Sequence, residues 1–208
     1  TPDLELRRRG IALRLGRKGG SEWLMTVKGG ESGAGGLAQR REWEAPTTPG
    51  MFDFAIVDDP DLRVLLQARK ECIRPVFTTD FTRIAWRMHR SGATIELVLD
   101  RGKISATTLF GAQSTVSEKL CEVELELIEG ESTDPLFDLA IELASEFHLH
   151  PEIVSKAERG YSLAMGLEES PRKGLNVAIG REMLPVEAFR SVASACLIQL
   201  QRNEAGVI

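Results

Sequence analysis

The sequence predicts an α+β fold: an antiparallel sheet of about eight strands closed on itself, helices against its outer surface, and a further helix at the C-terminal end. Three observations predict it. From residue 10 to 128 apolar and polar side chains alternate with the period of two that marks a strand with one face buried. Turn residues punctuate that alternation at hairpin spacing. Two later stretches, 133–147 and 183–204, carry apolar residues at helical spacing instead.

Taken in order, GIALRLGR sets Ile11, Leu13 and Leu15 on one face and Ala12, Arg14 and Gly16 on the other. EWLMTVKGG sets Trp23, Met25 and Val27 opposite Leu24, Thr26 and Lys28. The segment GGESGAGG, 29–36, lacks the G-K-[ST] ending of a phosphate loop and reads as a mobile hairpin connection. In LAQRREWEA, Arg40, Glu42 and Glu44 share a face, and Trp43 points the other way as a core residue. DDPDLRVLLQARKE, 58–71, opens with Asp and Pro cap signals and reads as a short amphipathic helix. FTTDFTRIAWRMHR puts Phe77, Phe81, Arg83 and Arg87 opposite Ile84, Trp86 and Met88. A turn at Ser91-Gly92 leads to ATIELVLDRG, with Ile95, Leu97 and Leu99 opposite Glu96 and Asp100, and a second turn at Arg101-Gly102 leads to KISATTLF. CEVELELIEG then alternates Glu122, Glu124 and Glu126 with Val123, Leu125 and Leu127. TDPLFDLAIELASEF, 133–147, has a Thr cap, an early Pro and a stripe of Leu136, Leu139, Ala140, Leu143 and Phe147, so it reads as a helix. SKAERGYSLAMG starts another short element, 166–180 reads as a linker, and 181–208 as the helical start of a second domain.

Composition excludes several functions. Of 208 residues 42% are hydrophobic and 27% charged, as in ordinary globular chains, and a net charge of −5 argues against nucleic acid as the main partner. No run of about 18 apolar residues exists to span a bilayer, and no basic-then-apolar leader opens the chain. Cys72, Cys121 and Cys196 are widely spaced and fit neither a disulfide framework nor a zinc site, which suits a cytoplasmic protein. His89, His148 and His150 have no companions that complete a metal set. Nothing in the spacing sets an oligomeric state.

The polar faces are more informative. Arg14, Lys28, Arg40, Arg83 and Arg87 recur opposite the apolar faces together with Glu42, Glu44, Glu96, Asp100, Glu122, Glu124 and Glu126. A solvated outer face of a sheet would tolerate such a mixture. Strongly apolar opposite faces and two amphipathic helices to cover them favour the inverted arrangement, with the polar faces lining the inside of a closed sheet. Carboxylates bind a hard divalent cation and Arg and Lys neutralise phosphate oxygens, so this lining suits a metal-polyphosphate ligand.

The combination of TPDLELRRRGIALRL, TVK at 26–28, REWE at 41–44, TDFTR at 79–83, CEVELELIEG and SKAERGYSL resembles the CYTH, or triphosphate tunnel metalloenzyme, family, and most closely its bacterial inorganic triphosphatase branch, over residues 1–165. The resemblance implies an eight-stranded tunnel barrel with basic walls that hold a triphosphate and acids that hold Mg²⁺ or Mn²⁺. Carried onto this sequence, it implies Arg14, Lys28, Arg83 and Lys156 as phosphate ligands. Glu122 and Glu124, with Asp100 and Glu44, become metal ligands, and Arg40, Glu42 and Glu126 a supporting shell. Lys156 and Glu124 are the expected catalytic residues, although Lys156 also reads as a cation beside a helix end.

Two departures from the family pattern stand out. Its early E-x-E-x-K strand has no counterpart, so the chain reads as truncated upstream and the first barrel strand as missing. Gly16 stands where the family places a second Arg. The segment from residue 184 onward resembles the opening of a CHAD domain, a helical module associated with polyphosphate, and equally an ordinary packing helix. The expected activity is metal-dependent hydrolysis of inorganic triphosphate to pyrophosphate and phosphate. The competing expectation is a non-catalytic module that binds polyphosphate or nucleotide phosphates.

Overall fold

The fold is that of a computed structural model, which describes all residues except 2, 30–36, 38, 112, 168–170 and 205–208. The glycine-rich connection expected at 29–36 therefore lies almost wholly outside the described residues. The chain divides into two compact units, Thr1–Pro75 with Asn176–Ile198, and Val76–Leu175 with Gln199–Ile208.

The first unit begins with a one-turn helix α1 (Glu5–Arg8), followed by strands β1 (Ala12–Lys18), β2 (Glu22–Gly29) and β3 (Arg41–Thr47), which pair antiparallel in that order. The expected faces form. Leu13 pairs with Val27 and Val27 with Trp43, and Met25 and Val27 are buried with Leu6, Ile11, Phe54, Val57 and Leu66. Leu66 comes from helix α2 (Pro60–Arg69), whose N-terminus is capped as the sequence predicts: Leu62 N donates to the Asp59 carboxylate at 3.0 Å, and Pro60 occupies a first-turn position. Trp43 is only half-buried, because its Nε1 donates to Asp58 at 2.8 Å and the Arg41 guanidinium lies 5.0 Å from its ring centre. The ring still packs against that core, with its nitrogen at the edge.

The second unit holds three long strands, β4 (Phe77–Arg90), β5 (Ala93–Thr107) and β6 (Thr115–Glu129), again antiparallel in sequence order. Ser91 and Gly92 turn the first hairpin with φ of 49° and 77°, the left-handed pair that a two-residue hairpin requires. The turn expected at Arg101-Gly102 does not exist: β5 runs through it, pairing Gly102 with Phe81 on one side and Leu120 on the other. Glycine is needed there for a different reason. A Cβ on Gly102 would lie 2.1 Å from the Asp80 carbonyl oxygen, so two backbones approach too closely for any side chain.

This merging of two expected strands alters the expected architecture. The α+β class and antiparallel pairing stand, but the described residues form six strands in two three-stranded sheets rather than one closed sheet of eight. The tally of eight also counted a strand upstream of residue 1.

Helix α3 (Asp134–Glu146) covers one face of the second sheet, where Leu136 and Leu139 pack with Ala93 and Ile95 and against Met88, Leu97, Leu125 and Leu127. Its expected Thr133 cap is not formed; Ser132 Oγ accepts from Asp134 N at 3.1 Å instead. Helix α4 (Lys156–Met165) packs on the other face, against all three strands. It sits so close that a Cβ on Gly160 would fall 2.3 Å from the Phe77 ring. Helix α5 (Pro185–Glu204) is the last described element, and within the second unit its Arg202 reaches Glu158 of α4 at 3.2 Å. No described helix is long and apolar enough to cross a membrane. The three cysteines are free and exposed.

Candidate functional site

Strand register gathers the acids. Arg83 of β4 stands opposite Asp100 of β5, and Asp100 opposite Glu122 of β6; one step along, Val98 stands opposite Glu124. All lie on the face that α4 crosses. Ser155 caps that helix by accepting from Glu158 N at 3.2 Å, and Gly166 ends it in the left-handed conformation. Lys156 is therefore the first helical residue and Arg159 lies one turn on, so both side chains fall on the same side of the helix. A cation at a helix N-terminus opposes the macrodipole, so the helix end gives no reason to place Lys156 there. The carboxylates do.

Every carboxylate oxygen of the trio has a cationic partner. Arg83 donates Nε to Asp100 Oδ1 at 2.8 Å and Nη2 to Asp100 Oδ2 at 2.6 Å, the bidentate fork that guanidinium favours. The same Nη2 reaches Glu124 Oε2 at 2.9 Å. Lys156 Nζ lies 2.9 Å from Asp100 Oδ2, 2.7 Å from Glu124 Oε1 and in contact with Glu122 Oε1. The remaining oxygen of Glu122 accepts from Arg159 Nη1 at 3.1 Å. Phe81 lies beside the two central cations, its ring centre 5.6 Å from both Arg83 Cζ and Lys156 Nζ.

The burial is uneven: Asp100 is fully buried, Lys156 17% exposed and Glu124 46% exposed at their side chains. Burial alone would push the Asp100 carboxyl up, yet hydrogen bonds from Arg83 and then Lys156 hold it below the usual carboxylate range. Glu124 behaves alike: burial opposes its charge, but the hydrogen bond from Lys156 together with the charges of Lys156 and Arg83 outweighs burial and keeps its pKa low. For Lys156 burial favours the neutral amine, but the hydrogen bonds it donates to Glu122 and Glu124 raise its pKa. Arg83 is raised first by its hydrogen bond to Asp100. Asp100, Glu124, Lys156 and Arg83 are thus all held in their charged forms at neutral pH.

One oxygen from each of Asp100, Glu122 and Glu124 lies within 4.8 Å of the other two, a set of hard donors that fits a divalent cation. The structure brings together five of the sequence-predicted residues here: Arg83, Asp100, Glu122, Glu124 and Lys156. The other three belong to the first unit. There Arg14 pairs across β1 and β2 with Thr26, whose hydroxyl donates to Glu44 at 3.1 Å, and Lys28 meets Glu42 at 2.8 Å. Arg14, Lys28, Glu42 and Glu44 share the face of that sheet opposite the Met25–Val27 core. The Arg14 guanidinium lies over Gly16, where an added Cβ would come within 2.9 Å of its Nε.

Over residues 1–161 the sequence matches the CYTH domain. The chain belongs to the CYTH domain family. A curated relative, the inorganic triphosphatase of Haemophilus influenzae (strain ATCC 51907 / DSM 11121 / KW20 / Rd), is 30% identical over 165 residues, which is 78% of this chain and 43% of that protein. The chain thus spans less than half the length of this relative.

Sequence reasoning missed Arg159 and Glu118. Arg159 donates to Glu118 through Nε at 2.7 Å and also through Nη2, and to the Lys119 carbonyl at 3.1 Å. The signal was present: once SKAERG is read as a Ser-capped helix, the third residue after Lys156 must share its face.

Proposed function

We propose that the chain hydrolyses inorganic triphosphate to pyrophosphate and phosphate with the help of a divalent cation, Mg²⁺ or Mn²⁺. The observation that carries this reading is the interleaving of Arg83 and Lys156 with Asp100, Glu122 and Glu124 on one sheet face. Membership of the CYTH family and likeness to the inorganic triphosphatase of Haemophilus influenzae support it.

In this reading Asp100, Glu122 and Glu124 hold the cation, which supplies charge neutralisation at phosphate oxygens and activation of water when bound. Arg83 and Lys156 exchange their carboxylate partners for phosphate oxygens and spread the negative charge of the transferred group. Lys156, held protonated by its neighbours, acts through charge rather than as a base. Glu124, the most exposed of the trio, is the acid whose loss acts on turnover. Arg14 and Lys28 enter as phosphate ligands and Glu44 as a further acid on the family resemblance, as does the closed tunnel. Residues 1–165 carry the activity, 166–180 link, and 181–208 belong to a helical module of CHAD type.

The test is phosphate release from inorganic triphosphate by the 208-residue chain, with and without Mg²⁺ or Mn²⁺. Metal-dependent release is expected. Glu124→Gln should lower turnover more than triphosphate binding, whereas Arg83→Ala should weaken binding itself about tenfold or more, as the loss of charge-assisted contacts predicts. Equal and small effects of both would overturn the assignment. Tight triphosphate binding without release in any metal would instead establish a binding module, the reading that Gly16, in place of a second arginine, favours.

A further inference from the structure

Glu122 differs from the other two acids of the cluster. Both oxygens of Asp100 and of Glu124 are held by Arg83 and Lys156, the two cations that the proposed function turns toward phosphate. Glu122 shares only Oε1 with Lys156, and its Oε2 is held by Arg159. Arg159 has no phosphate role to leave for. Its other donors are committed to the Glu118 carboxylate and the Lys119 carbonyl, and its side chain is 15% exposed.

We propose that Arg159 is a positioning residue which, anchored by Glu118, keeps one oxygen of Glu122 fixed and leaves the other presented to a divalent cation. The inference rests on the metal-dependent reading above and adds a residue to it. Glu118 cancels the charge of Arg159, so the pair acts on Glu122 through placement rather than net field. Outer partners of this kind orient metal-binding carboxylates and typically change metal affinity by about 10- to 100-fold when removed. Because Arg159 and Lys156 lie on one helix, the strand that presents Glu122 is gripped at both oxygens by a single rigid element.

The deciding experiment titrates free Mn²⁺ by electron paramagnetic resonance against the full chain without triphosphate. The variant is Arg159→Gln combined with Glu118→Gln, which leaves the local net charge unchanged. Mn²⁺ binding should weaken about tenfold or more, while triphosphate binding measured in a chelator stays as in the unaltered chain. Arg159→Lys retains the charge but cannot fork two acceptors, so it should show part of the same loss. In a Glu122→Gln background the paired change should add nothing further.

Unaltered Mn²⁺ binding in the paired variant overturns the proposal alone. A parallel fall in triphosphate binding, or an undiminished effect in the Glu122→Gln background, also overturns it, because Arg159 would then only dock α4. An unaltered chain that binds no Mn²⁺ overturns the metal-dependent reading and this inference together.

Discussion

The β1–β2–β3 and β4–β5–β6 sheets are built to the same plan, each an antiparallel meander with one apolar face and one charged face, yet they hold their charges differently. On the first, Lys28 and Glu42 form an isolated pair with side chains 42% and 44% exposed, and Glu44 takes a hydroxyl from Thr26. On the second, four carboxylates and three cations form a connected network around a fully buried Asp100. The alternation of acids and bases along the strands does not distinguish the two. What does is α4, which adds two of the cations and shields Asp100 and Glu122 from water. Burial turns a row of surface charges into a set of mutually dependent ones.

The largest expected difference is in stability. Asp100→Ala leaves Arg83 and Lys156 short of a buried partner and should cost roughly 3 kcal/mol in a denaturant titration, whereas Glu42→Gln on the first sheet should cost under about 0.5 kcal/mol. Comparable losses would show that α4 does not set the two sheets apart.

The next difference is in pH dependence. Asp100 and Glu124 have folded pKa values below their unfolded ones, so their contribution is complete above about pH 4 and fades as pH falls from there through the lower folded values. Lys156 is raised, so its contribution is complete below about pH 10.4 and fades as pH rises through the higher folded value. Protection of β4–β6 amides against hydrogen exchange should therefore drop at both limits. Lys156→Met should remove the alkaline drop specifically, and its persistence would assign that drop to another group.

The smallest expected effect is at Gly16. Gly16→Ala displaces only the flexible end of Arg14, so stability should shift by no more than about 0.5 kcal/mol. Any clear change should appear in triphosphate affinity, which the same binding assay reads.

Much of this was legible in the sequence because period-two alternation fixes which residues share a face. It put Arg83, Asp100, Glu122 and Glu124 each on the polar face of its strand, and Asp59 and Pro60 marked the start of α2. It failed where one residue type serves two purposes. Gly102 reads as a turn, but it is a mid-strand position where two backbones nearly touch. Trp43 does pack against the core as read, and the unforeseen part is its indole nitrogen, which donates to Asp58 at the edge. Arg159 went unseen because helical spacing was not followed through a segment of only ten residues.

The network on α4 also acts on strand register. A slip of β6 by one residue would carry Glu118, Glu122 and Glu124 to the α3 face and present Lys119, Val123 and Leu125 to the cations of α4. Lys156 and Arg159 would then lose Glu118, Glu122 and Glu124 as partners and face apolar groups and a like charge instead. The ion cluster thus favours the observed register of β6 as well as forming a candidate site.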